Sequence, residues 1–215
     1  MFNNDELVLI ACHIPLKTLF NFCLSCKRAY AKVWNNNAFW RRKVIMDFNR
    51  EEEINLYTIL FKEMKEKSVY FYILKLYEVK REWRLAENVY EIYYLKNINK
   101  TDNGIRRIPR KLCLPFLNNL FLGHNSIEVI PDDLYLPKLE QIYLHCNKIR
   151  TIPKNLKLPS LTHMQLSYNY IKEIPAELTL PELLYLTIGN NQVDEKPINH
   201  NFHPQCIIDI RSSDD

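Results

Sequence analysis

Apolar residues in the C-terminal half of this 215-residue chain recur in one register of 22 positions. Pro115, Pro137, Pro159 and Pro181 open four successive units, with Leu117, Leu139, Leu161 and Leu183 in step. Leu120, Ile142, Met164 and Leu186 follow, then Leu122, Leu144, Leu166 and Ile188. Asn125, Asn147, Asn169 and Asn191 share the next offset, and Ile127, Ile149, Ile171 and Val193 the one after. Ile130-Pro131, Ile152-Pro153 and Ile174-Pro175 close the first three units. Alternation over L-x-x-L-x-L predicts a short strand whose apolar side chains point inward while those between them point out. A unit this small does not bury its own apolar face and must stack on neighbours. The Asn at the turn is suited to bond backbone groups of the adjacent coil, which a buried turn would otherwise leave unpaired. Pro after Ile fixes φ and donates nothing, favouring an irregular or 3₁₀ back over a second long strand. Leu134, Leu156 and Leu178, with Leu136, Leu158 and Leu180, then fill the back of the core.

A weaker unit precedes these, carrying Leu95, Ile98, Asn103, Ile105, Ile108, Pro109, Leu112 and Leu114, with Lys100 at a Leu position. We expect an edge repeat there, the Lys stem lying over apolar surface. At the other end Lys196 replaces the closing Ile and the spacing dissolves after Pro197. Cys206 to Ile210 reads as a last strand or cap, and Arg211 to Asp215 as a frayed tail. The pattern P-x-L-x-x-L-x-L-x-x-N-x-I-x-x-I-P-x-x-L-x-L resembles the leucine-rich repeat, and implies about five stacked repeats.

Residues 6 to 43 are of another kind. Leu7, Leu9, Ile10, Ile14, Leu16, Leu19, Phe20, Phe22, Cys23 and Leu24 are dense and helically spaced, with Pro15 breaking the run between two short helices. Cys26-Lys27-Arg28, Tyr30, Trp34 and Phe39-Trp40-Arg41-Arg42 follow. The order resembles the F-box. Glu6-Leu7-Val8 matches its start, Ile14-Pro15 its L-P step and Lys17-Thr18-Leu19 its x-D-L. Ser25-Cys26-Lys27 matches V-C-K, Tyr30 the following Trp, and Phe39-Trp40-Arg41 matches L-W-R. Asn3 and Asn4 replace the usual leading Leu-Pro, and Thr18 the helix-capping Asp. The resemblance implies docking on a Skp-type adaptor through Leu7, Ile10, Ile14, Pro15 and Leu19, with Trp40 closing the module. A helical cap shielding the first repeat would have a similar composition.

Between the two, Asn49 and Glu52 resemble a capping box ahead of Ile54, Tyr57, Leu60, Phe61 and Met64. Ser68 is placed to cap a second helix carrying Tyr70, Ile73, Leu74, Tyr77 and Trp83. The expected fold is therefore α+β. An F-box-like helical domain spans 1–46, a helical connector 47–92, a right-handed leucine-rich-repeat solenoid with a short parallel sheet on its concave face 93–205, and a C-terminal cap and tail 206–215.

Composition narrows the partners. The chain is 47% hydrophobic with only 3 Gly, which supports folding throughout. Its net charge of +4 is spread over both halves, so neither nucleic acid nor a membrane surface is implied. Phe2-Asn3-Asn4-Asp5-Glu6 lacks the basic and apolar regions of a leader, and the uncharged apolar runs are too short to span a bilayer. The 6 Cys do not bracket the repeats, which favours reduced thiols in a cytoplasm. Richness in Asn, Ile, Lys and Tyr fits AT-rich coding, and a host's cytoplasm if the source is viral.

Outward strand positions form rows across the repeats: Asn119, Gln141, His163 and Tyr185; Phe121, Tyr143, Gln165 and Thr187; Gly123, His145, Ser167 and Gly189. His124, Cys146, Tyr168 and Asn190 line the rim. The rows hold aromatics, amides and imidazoles but no carboxylate or ammonium, the composition of an interface core rather than an idle surface. Cys23 and Cys26, with Cys12 and His13, lack the second Cys pair of a structural zinc site. His124 beside Cys146 lacks the orienting group and pocket of a Cys-His nucleophile. We expect no cofactor and no enzyme. The combined resemblance implies a substrate-recognition subunit of an SCF-type (cullin-RING) ubiquitin ligase, holding a protein substrate on the concave face. The alternative is a repeat scaffold with a helical cap and no ubiquitin role.

Overall fold

The computed structural model describes residues 33, 36–47, 56, 60, 66–193 and 201–211. The expected helices over 6–24, the Cys12/His13/Cys23/Cys26 set, the capping box at Asn49 and the adaptor-docking residues Leu7, Ile10, Ile14, Pro15 and Leu19 lie outside them. The chain divides into two compact units, Met1–Tyr77 with Asn88–Tyr90, and Glu78–Glu87 with Glu91–Asp215.

In the first unit, helix α1 (Asn37–Asp47) begins where the Asn36 side chain accepts from the Phe39 N–H at 3.0 Å. Its Phe39, Trp40 and Val44 are fully buried. The Trp40 ring meets Phe39 at 5.0 Å, Tyr70 at 5.2 Å and Phe71 at 5.5 Å. Trp40 is thus a core residue of this unit and offers no ring surface to an adaptor, whereas the resemblance grouped it with the docking residues. Lys43, only 2% exposed, pairs with Asp47 at 2.9 Å, and the Tyr70 hydroxyl donates to the same carboxylate at 2.6 Å. Burial, and then that bond, push the Tyr70 hydroxyl far above its usual range, so it remains a donor.

Helix α2 (Glu66–Glu82) buries Val69, Ile73, Leu76 and Val79 at helical spacing. Ser68 lies inside this helix rather than at its cap. The helix ends in a Schellman turn: Leu85 N–H reaches Lys80 O at 3.0 Å and Arg84 N–H reaches Arg81 O at 3.4 Å. Arg84 takes the left-handed position at φ 48°. Helix α3 (Val89–Tyr94) is short.

The second unit carries the repeats. Strands β1 (Asn97–Asn99), β2 (Asn119–Phe121), β3 (Gln141–Tyr143), β4 (His163–Gln165), β6 (Tyr185–Thr187) and β8 (Ile207–Asp209) form one parallel sheet in that order. Each pairing joins residues 22 apart, as Asn97↔Asn119 and Tyr185↔Ile207. Behind it, bridges Cys113↔Tyr135 and Tyr135↔Lys157, and strands β5 (Thr179–Leu180) and β7 (Asn201–Phe202), keep the same step. The register therefore continues past Pro197, where the sequence pattern had faded. The final coil lost its signature because His203 stands at the Pro181 position and Gln205 at that of Leu183.

The inward positions are fully or nearly fully buried: Leu120, Ile142 and Leu144 at 0%, Met164 and Leu186 at 1%. A side-chain amide ladder locks coil to coil. Asn147 Oδ1 accepts from the Ile127 N–H at 2.9 Å, and its Nδ2 donates to Leu122 O at 2.9 Å and Leu144 O at 3.1 Å. Asn125, Asn169 and Asn191 repeat the arrangement with Ile105, Ile149 and Ile171. Lys100, at its odd position, donates from Nζ to Arg84 O at 3.1 Å.

Candidate functional site

Between strand and Asn the backbone turns sharply, and one residue per coil takes the left-handed conformation: Asp102, His124, Cys146, Tyr168 and Asn190, with φ of 53–56°. This turn sends the next Asn inward while Asp102, His124, Cys146 and Tyr168 still donate their N–H across the coils, as His124 to His145 O and Cys146 to Ser167 O, both 3.0 Å. Asp and Asn tolerate that region; His, Cys and Tyr carry a steric cost of about 1–2 kcal/mol each. The cost is accepted at the rim, where His124 and Tyr168 are exposed.

The strands present the expected rows. Residues 119, 121, 141, 143, 163, 165 and 187 are half-buried and Tyr185 is 46% exposed. Rings pair across adjacent strands, Phe121 with Tyr143 at 4.9 Å and His163 stacked on Tyr185 at 4.8 Å. The Thr162 hydroxyl spends its proton on Glu140 O at 2.9 Å, so it accepts from His163 Nδ1 at 2.8 Å. That assigns a proton to Nδ1. Asn119 donates to Asn97 Oδ1, while its own Oδ1 and the His145 Nδ1 are buried without a hydrogen-bond partner.

His145 makes the contact the sequence did not foreshadow. Its ring meets His124 edge-on at 5.0 Å, across one repeat. The ring occupies the notch at Gly123, where a Cβ would lie 2.4 Å from its Cε1. Burial, and then the neighbouring His124, hold the His145 imidazole below its ordinary range, against an opposing contact from Gln165. It is therefore neutral at pH 7. The clue lay in the row Gly123–His145: a missing side chain beside a large one.

On the back of the coils an open groove of about 870 Å³ is lined by Arg106, Arg107, Arg110, Val129 and Pro131 among others. Two of its guanidiniums are engaged, Arg107 with Glu82 at 2.8 Å and Arg110 with Asp132 at 3.1 Å. The Arg107 bond holds the Glu82 carboxyl below its usual value. Among the described residues no group of three or more His, Cys, Asp or Glu is placed to hold a metal ion, and no helix is long and apolar enough to cross a membrane.

Residues 115–171 and 137–193 each match the family model for the leucine rich repeat, so the segment 115–193 carries leucine-rich repeats. No curated protein matches the chain. Among solved structures, a leucine-rich-repeat protein of Leptospira interrogans is similar at 28% identity over 45% of this chain, with a TM-score of 0.37. The match spans 26% of that protein's chain.

Proposed function

We propose that this protein is a binding scaffold that grips another protein along the concave sheet, with no reaction of its own. The observation that carries this is the uncharged field on the strands. From Asn119 to Thr187 the outward rows hold two cross-strand ring pairs, amides and imidazoles, and no carboxylate, ammonium or guanidinium. Surface of this kind, poor in charge and rich in Tyr, Phe and His, suits desolvation against a partner. The back groove is lined by charged side chains, several of them already in ion pairs, which makes it the weaker candidate.

The finer reading is a substrate receptor of an SCF-type ubiquitin ligase. It is supported by the F-box-like order of residues 6 to 42. Leu7, Ile10, Ile14, Pro15 and Leu19 would dock a Skp-type adaptor joined to a cullin complex, and Asn119, Phe121, His124, Gln141, Tyr143, His145, His163, Gln165, Tyr168, Tyr185 and Thr187 would select the substrate. A cytoplasmic setting accompanies this reading. Trp40, buried in its own unit, would hold the docking helices rather than touch the adaptor.

Two measurements divide the readings. Calorimetric titration of the full chain with a Skp-type adaptor should show binding that Leu19→Asp abolishes; absence of binding leaves the scaffold alone. Photo-reactive aromatic residues at positions 143 and 157 should cross-link a partner from the front and not from the back. Cross-links from position 157 alone would move the site off the concave face.

A further inference from the structure

Among the described residues, β8 is an edge strand of the sheet. Ile207 N–H donates to Leu184 O at 2.8 Å, and Asp209 O accepts from Ile188 N–H at 2.8 Å. Both residues therefore spend their backbone groups on the inner side. Alternation along a parallel strand turns the N–H and C=O of Ile208 and Ile210 the other way, where no described strand lies. The apolar side is also incompletely covered. Ile208 and Ile210 stand in register with Leu186 and Ile188, each 1% exposed, yet both are half-buried. Phe202, in register with the fully buried Leu180, is half-buried too, and Ile207 is 57% exposed. Edges of this kind are templates for another strand.

We propose that β8 is a self-association edge, on which a second copy of this chain pairs antiparallel about a two-fold axis through Ile210. The charge pattern selects this occupant. The outward backbone groups permit registers centred on Ile208, Asp209 or Ile210. Centring on Asp209 sets two carboxylates face to face, which is unfavourable. Centring on Ile208 opposes Asp209 to Ile207. Centring on Ile210 makes a hydrogen-bonded central pair and sets Asp209 of each copy against Arg211 of the other, twice over, in the closer, non-hydrogen-bonded position. Within one chain Arg211 already clasps Asp209, with Nε and Nη2 each at 2.9 Å. Bringing two such pairs together yields an alternating cluster of four charges. A neutral foreign strand would satisfy the backbone but leave that complementarity unused. The two-fold axis makes the contact closed, so it yields a dimer and not a fibre.

The test is the mass of the full chain in solution by sedimentation and light scattering over a micromolar series, with circular dichroism as the check on folding. The expected mass is twice the 25.8 kDa chain. Arg211→Glu sets carboxylate against carboxylate and should weaken the dimer by about tenfold or more. Adding Asp209→Arg to that variant restores opposite charges and should restore the dimer. Ile210→Pro removes the central outward donor, a change edge strands tolerate, and should give a folded monomer. If that variant fails to fold, the charge reversal and its rescue decide alone. A monomer at every concentration overturns the proposal, as does a dimer indifferent to Arg211→Glu. A monomer whose Ile208 and Ile210 amides resist hydrogen exchange also overturns it, since the chain would then cover its own edge.

Discussion

Replacing Asn147 by Ala removes the centre of the amide ladder, and its cost can be worked from the bonds. Asn147 is 6% exposed, accepts from the Ile127 N–H and shares its two amide protons among Leu122 O, Leu144 O and His145 O. The three carbonyls keep other donors: Leu122 O from Asn125, Leu144 O from Asn169, and His145 O from the His124 N–H. The Ile127 N–H keeps none, and Ile127 is fully buried. One orphaned buried donor costs roughly 1–3 kcal/mol, and two lost hydrogen bonds about 0.5–1.5 kcal/mol each. The sum is about 2–6 kcal/mol, a large part of the roughly 5–15 kcal/mol that holds a domain together. Urea denaturation read by circular dichroism measures it directly. Asn125→Ala, at a half-buried position, should cost visibly less. A loss under about 1 kcal/mol for Asn147→Ala, or equal losses at both positions, would refute the reasoning, because the ladder would then not be what holds the coils in register.

Further expectations follow from the rim and the glycines. His124→Asn, Cys146→Asn and Tyr168→Asn should each raise stability by up to about 1 kcal/mol in the same assay, since Asn accepts a positive φ that the native residues resist; unchanged or lowered stability would remove the idea that this row is strained. Gly189→Ala should destabilise more than Gly123→Ala, because the new methyl meets the Arg211 carbonyl at 1.8 Å in the first case and a rotatable imidazole in the second; melting temperatures decide the order. Acidification should weaken the fold through His145. Its folded pKa is lowered, so the unfolded chain binds more protons between that value and 6.5, and stability falls as pH drops below about 6.5. Melting between pH 7.5 and 5 should lose that slope in His145→Gln, and an identical slope would acquit the residue.

The repeats were legible because one requirement, burying a coil against its neighbours, fixes the same residue type at the same offset every time. Leucines, the ladder Asn and the outward rows all fell where periodicity placed them. The left-handed row was not legible, since His124, Cys146 and Tyr168 share no side-chain chemistry; only their backbone is common, and composition does not report it. The final coil was hidden for the opposite reason. With fewer neighbours to satisfy, its positions tolerate Gln205 and His203, so the pattern decays while the backbone step persists. Trp40 shows a third limit. A motif match gives a residue a place in a module, but whether its ring faces inward or out depends on Tyr70 and Phe71, some 30 positions on.

The unbroken step of 22 makes the concave sheet a ruler. Every coil advances the rows by one interstrand spacing, about 4.8 Å, without rotating their register. Excising residues 137–158 would join Leu136 to Pro159 with every offset intact. The shortened array would keep its chemistry and lose one graduation of length, along with the Gln141, Tyr143 and His145 column. Partner reach and partner chemistry can thus be varied separately in this architecture, one by the number of coils and the other by the residues each coil displays.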